Sequence, residues 1–160
     1  MLSASTSAAE PDLAAADALA HFQAVVLQNN RTRRHFGKLS DASHRAIGAN
    51  PLCGDQLTVE LHVVDGNIIQ CGFHGEMSAI SIAAAQILCT QIEGLSLHKA
   101  ELILRSAQAM LTGSLDLSST DEFYCFAVVR RYPSRLKTAT LPVATLLAAV
   151  LGDSTQVSTE

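Results

Sequence analysis

The sequence predicts an α+β fold: a small antiparallel sheet, either a hairpin or a three-stranded meander, with helices packed on one face. Three observations carry this. Residues 56–64 alternate apolar Leu57, Val59, Leu61 and Val63 with polar Thr58, Glu60 and His62, the period-two pattern of a strand with one buried face. Asp65-Gly66 then supplies the two positive-φ positions of a tight hairpin turn. One helical pattern precedes this hairpin and a run of helical patterns follows it, an order that suits α+β rather than alternating α/β.

In chain order, Leu13, Ala16, Leu19, Phe22 and Val26 recur at helical spacing, with Asp12 placed to cap after Pro11, and predict a helix over about 12–27. Residues 29–51 are polar, basic and punctuated by Gly37, Gly48 and Pro51, which reads as a long surface connection. After the strand 56–64, a return strand over 67–73 is expected to turn Ile69, Cys71 and Phe73 to one side. Ile80, Ala83, Ala84, Ile87 and Leu88 predict a buried helix that stops at Gly94. Residues 96–111 read as another helix and 112–118 as a loop. Ser119 with Glu122 forms a capping-box pattern opening a short helix that ends before Pro133. Ser134 is the expected cap of a last helix to about Leu151. One domain over 11–152 is thus flanked by tails, 1–10 and 153–160, expected to be disordered.

Composition narrows the function classes. The chain has 160 residues, 48% of them apolar, and a net charge of -4. That balance argues against nucleic acid, whose binding leans on a cationic footprint. The apolar runs are interrupted before the ~20 residues of a membrane span, and the N-terminus lacks the basic start and apolar middle of a secretory signal. No membrane association is expected, and the cytoplasm is the expected location. Basic residues gather at Arg31, Arg33, Arg34 and His35, and at Arg130, Arg131, Arg135 and Lys137, either as solvated helix-end charge or as a docking site for an acidic protein surface.

Four cysteines, Cys53, Cys71, Cys89 and Cys125, are too dispersed to write a local metal motif. Cys53 lies in a Gly-flanked loop, where an exposed thiol can be reactive. Asp55 reads as a site residue or as a turn-and-cap residue entering the strand. Cys71, Cys89 and Cys125 have apolar neighbours and read as core. His74 and His62 are candidate replacement ligands, though a lone strand histidine is more often a surface or hydrogen-bonded residue.

Five strings, RTRRHFGKL, ANPLCGDQLTV, the DG hairpin ending in FHGE, AISIAAAQIL and RYPSRLKTATL, together resemble the NifU/SufU-type (IscU-like) iron-sulfur cluster assembly family along nearly the whole chain. NPLCGD is the most specific. The resemblance implies a site gathering three cysteines and one aspartate at one end of the molecule, able to bind iron, zinc or an iron-sulfur cluster. Cys53 and Asp55 match the first cysteine and the aspartate. Ser78 occupies the second cysteine position and Thr138 the third. Because these sites are held chiefly by thiolates, tight metal or cluster binding by one chain is not expected. The resemblance implies instead a protein of cluster assembly that accepts sulfur from a cysteine desulfurase as a persulfide on Cys53, a sulfurtransferase-like role at most. Its partners would be that desulfurase and other iron-sulfur assembly proteins, and self-association is compatible with the sequence. Two alternatives stand beside it: a metal- or cluster-binding scaffold completed by a partner subunit, and a non-catalytic pseudo-scaffold regulating the desulfurase. Pro142 is expected either in the first turn of a late-starting helix or as an interior proline that frees the Thr138 carbonyl.

Overall fold

The computed structural model describes residues 13–153 and 156–159. Its elements are α1 (Leu13–Thr32), β1 (His44–Asn50), β2 (Asp55–Val64), β3 (Asn67–Glu76), α2 (Ala79–Ile92), α3 (Leu97–Thr112), a 3-10 helix (Glu122–Arg131), α4 (Pro133–Leu151) and β4 (Val157–Ser158). The expected Asp12 cap and the 1–10 tail lie outside the described residues. The fold is α+β, and the expected hairpin is present: β2 and β3 pair antiparallel, with Asp65 at φ 50° and Gly66 at φ 76° in the turn.

The sheet is larger than expected, with order β3-β2-β1-β4. The stretch read as a surface connection contains β1, antiparallel to β2 from His44↔Leu61 to Asn50↔Asp55. Its inward residues are Ala46, Gly48 and Asn50, too small or polar to write an apolar stripe. Residues 153–160 are not a free tail throughout: Val157 and Ser158 pair parallel with Gly48 and Ala49, so the sheet is mixed. This strand covers backbone groups that β1 would otherwise present as an open edge. Ile69 is corrected as well. A bulge between His62 and Val63 shifts the phase of the hairpin, so Ile68 enters the core with Cys71 and Phe73 while Ile69 faces out.

Leu57, Val59 and Leu61 of β2 bury one sheet face against α4, and β3 meets α2, whose Ala83, Ala84, Ile87 and Leu88 are fully buried. α4 is a core helix: by length and composition it could cross a membrane, but 61% of its apolar window is buried inside the fold. Caps differ locally from expectation. Asp121, not Ser119, caps the 3-10 helix through the Phe123 amide, and α4 opens at Pro133 after Tyr132 rather than at Ser134. Proline at the first helical position gives up only an amide that has no intrahelical partner there.

Candidate functional site

The β1–β2 connection is four residues, 51–54, between the paired ends Asn50 and Asp55. Buried Asn50 organises it. Its side-chain oxygen accepts the Leu52 amide at 3.2 Å, its carbonyl accepts the Gly54 amide at 2.9 Å, and the Cys53 thiol donates to that carbonyl at 3.8 Å. Cys53 and Leu52 are therefore displayed to solvent on a turn that is itself held.

Asp55, the first residue of β2, is only 4% exposed, and both carboxylate oxygens are engaged. Oδ1 accepts the Ser78 amide at 2.9 Å, while Oδ2 accepts the Ser78 hydroxyl at 3.1 Å and the Ser81 hydroxyl at 2.6 Å. Ser78 is also the N-cap of α2, accepting the Ser81 amide. A carboxylate beside a helix N-terminus is stabilised by its unpaired amides and dipole. Ser81 Oγ also lies 2.9 Å from the Thr138 carbonyl, so its single proton is shared between carboxylate and carbonyl, with the carboxylate closer. That carbonyl is available because Pro142, inside α4, has no amide to donate four residues back. The second expectation for Pro142 is the one realised.

Thr138 Oγ1 donates to the Ser134 carbonyl at 3.0 Å and stands 3.9 Å from Cys53 Sγ. The structure thus brings Cys53, Asp55, Ser78 and Thr138 to one end of the molecule, 85 residues of chain separating the first and last. Ser81 and Asn50 complete the arrangement. Sequence reasoning gave neither a role. The signal available for Ser81 was a hydroxyl in the first turn of an otherwise apolar helix, facing the carbonyl that Pro142 frees.

His74 does not join this site. It pairs with Thr58 across the β2–β3 ladder and so shares the sheet face opposite Asp55 and Leu57, where its Nε2 lies 3.6 Å from Glu60 Oε1. His62, opposite Gln70, is on that same outer side. Glu60 is buried there by Arg45, at 2.6 Å, and by the Leu39 amide, at 2.8 Å. Cys71, Cys89 and Cys125 are buried, as expected. Burial pushes the Cys125 thiol up to about 12, helped by the charges of Glu122 and Asp121. Of the basic clusters, Arg34 pairs with Glu93, Arg130 ties Met110, Leu115 and Asp116 together, and Arg135 lies over the Tyr132 ring. Arg34, Arg130 and Arg135 therefore make intramolecular contacts.

The donor set does not suit a resident soft or borderline metal. It offers one thiol, a carboxylate already accepting three hydrogen bonds, and two neutral hydroxyls, where zinc normally takes four thiolate, imidazole or carboxylate ligands. Among the described residues no three His, Cys, Asp or Glu side chains converge in a metal-holding group.

Comparison with known proteins places the chain. Residues 21–137 match the NifU-like N terminal domain. The chain is 28% identical over 130 residues to the iron-sulfur cluster assembly scaffold protein IscU of Thermotoga maritima, covering 81% of this chain and 92% of the relative. It is 28% identical over 126 residues to the zinc-dependent sulfurtransferase SufU of Bacillus subtilis, covering 75% and 82%. Among solved structures, a putative scaffold protein for the SUF system from Fervidobacterium islandicum superposes with a TM-score of 0.74 at 28% identity, covering 79% of this chain and 93% of that one. A NifU-like N-terminal domain from Brucella abortus shares the fold, with a TM-score of 0.75 at 16% identity over 85% and 96%.

Proposed function

The chain belongs to the NifU-like N-terminal domain family, and from that premise we propose that it serves iron-sulfur cluster assembly as a sulfur acceptor, taking a persulfide on Cys53 from a cysteine desulfurase without a metal of its own. The observation that carries this reading is the pairing of an exposed single thiol on a braced turn with an Asp55 carboxylate already accepting three hydrogen bonds. The site offers one nucleophile, and hydroxyls of Ser78 and Thr138 stand beside it where further thiolates would favour a metal. The chemistry needs only that nucleophile. The Cys53 thiolate attacks the terminal sulfur of the donor's persulfide, a new S–S bond forms, the donor's S–S bond breaks, and the donor cysteine leaves as thiolate. The proton lost from Cys53 passes to solvent or to that leaving thiolate. The cluster is downstream cargo, built with other assembly proteins that receive this sulfur. A cytoplasmic setting fits four free cysteines.

The test incubates the purified chain with a cysteine desulfurase and cysteine and reads intact mass. One added sulfur per chain is expected, lost in Cys53→Ser, retained in Cys125→Ser and insensitive to chelator. Transfer that persists in Cys53→Ser, or that chelator abolishes, overturns the proposal. Stoichiometric metal in the purified chain would instead favour the scaffold reading, with a partner subunit supplying ligands.

A further inference from the structure

Outside the site, two thiols of the core meet. Cys71 on β3 and Cys89 on α2 place their sulfurs 2.8 Å apart, and both residues are almost entirely buried. Neither carrier can readily swing away. The Cys71 amide donates to Glu93 at 3.1 Å and its carbonyl meets His35 Nδ1 at 2.9 Å, while the Cys89 carbonyl accepts the Glu93 amide at 3.0 Å. Glu93, the C-cap of α2, therefore holds the strand and the helix to one another beside the sulfur pair. The Glu93 carboxylate, Arg34, His35 and Lys38 are the charged and titratable groups gathered on this side.

We infer that Cys71 and Cys89 form a dithiol–disulfide couple, a modification site for small hydroperoxides that is separate from Cys53. Cys71 is assigned the first reaction because residue 71, at 3% exposure, lines a polar cavity of about 310 Å³ with Arg34, His35, Lys38 and Glu93, whereas Cys89 is fully buried. In the first step the Cys71 sulfur attacks the peroxide, the O–O bond breaks, water leaves from hydrogen peroxide, and a sulfenic acid forms on Cys71. In the second the Cys89 sulfur attacks the Cys71 sulfur, the S–O bond breaks, and a second water leaves with the remaining thiol proton. Overall two thiols are oxidised and one peroxide is reduced to two waters. Proximity drives the second step, because a positioned intramolecular thiol acts at a very high effective concentration. Burial pushes the Cys89 thiol well up, with Cys71 and Glu93 adding to the effect, so little thiolate is present and the pair oxidises slowly. The ring closed by this bond runs from residue 71 to 89 and contains Ser78 and Ser81. Oxidation would thus fasten together the two elements that flank the Asp55 clasp.

The experiment uses the full chain as Cys53→Ser, so that the exposed thiol cannot interfere, treated with hydrogen peroxide and mapped by mass spectrometry under non-reducing conditions. The expected product has one remaining thiol, Cys125, and a 71–89 cross-linked peptide, and dithiothreitol restores all three thiols. The oxidised form should melt several degrees higher, because a cross-link restricts the unfolded chain. Adding Cys89→Ala should leave Cys71 as a sulfenic acid trapped by dimedone. Three thiols persisting after prolonged peroxide treatment in mild denaturant overturns the inference, and so does a cross-link from either cysteine to Cys125. The wild-type sequence carries the same mapping test if the double variant does not fold.

Discussion

Replacing Asp55 by Ala removes the acceptor of three hydrogen bonds at once, and the structure lets their loss be apportioned. Ser78 is exposed, so its amide and hydroxyl regain water and cost together about 1 kcal/mol, the ordinary net value for a single bond. Ser81 is fully buried, and its 2.6 Å contact is to an ionised group, a class worth about 2 kcal/mol. Its proton has a fallback on the Thr138 carbonyl, which keeps the loss from growing further. The expected cost is about 3 kcal/mol, or a melting point lower by roughly 10 °C for a chain of this size. Asp55→Asn should cost less than about 1 kcal/mol, since the amide keeps an acceptor for the Ser78 amide while the two hydroxyls turn round to accept. Urea unfolding reads this as a lowered midpoint at unchanged slope. If Asp55→Ala costs under about 1 kcal/mol, or if Asn is as damaging as Ala, the carboxylate is not the clasp described. Chelator should leave the unmodified chain's midpoint where it is.

Burial alone would raise the Glu60 carboxyl, but the Arg45 and Leu39 hydrogen bonds, the Arg45 charge and His74 outweigh it and hold it below its ordinary 4.5. A depressed carboxyl stabilises the fold above that value and loses the contribution as pH falls through its folded value, so urea midpoints should drop on acidification below pH 4.5 and Glu60→Gln should flatten that limb. Gly75→Ala should cost about 3 kcal/mol or more by the same measurement, because Gly75 sits at φ 140° and an added methyl would run into the Gln56 carbonyl; a cost below about 1 kcal/mol refutes the close approach. Ser78→Cys with Thr138→Cys should convert a chain that takes up little zinc into one that binds it, and adding Ser81→Ala should strengthen the site by freeing Asp55 Oδ2. Metal analysis after dialysis decides it, and an unchanged double variant would show that the geometry as well as the thiolates has been lost.

What the sequence made legible is what short-range periodicity encodes. The β2–β3 hairpin was readable because Leu57, Val59 and Leu61 alternate into a core and Asp65-Gly66 closes the turn. β1 was not, because its inward positions are Ala46, Gly48 and Asn50, chosen for close packing rather than for apolar bulk. β4 consists of two residues whose pairing lies 109 positions away from Gly48, beyond any local pattern. The site divides the same way. Cys53, Asp55, Ser78 and Thr138 were placed by motif strings, and they do converge. The contact of Ser81 with both Asp55 and the Thr138 carbonyl depends on how α2 and α4 cross, which no spacing within either helix specifies.

That crossing makes the hydroxyls and the freed carbonyl one hydrogen-bonded set. A buried carboxylate is costly unless its oxygens find donors. Here Ser78 supplies two donors and Ser81 a third, whose single proton is shared with the carbonyl that Pro142 frees. Cysteine at position 78 could not cap α2 as a serine oxygen does, because sulfur is a weak acceptor. The hydroxyls thus bind together what ligands to a common ion would otherwise bind together, joining β2, α2 and α4 at one end of the fold. Among the described residues, Cys53 stays outside that hydrogen-bonded set on Asp55 and is held through its own turn and the 3.9 Å contact with Thr138. A change at a thiol so placed should leave undisturbed the fold that presents it.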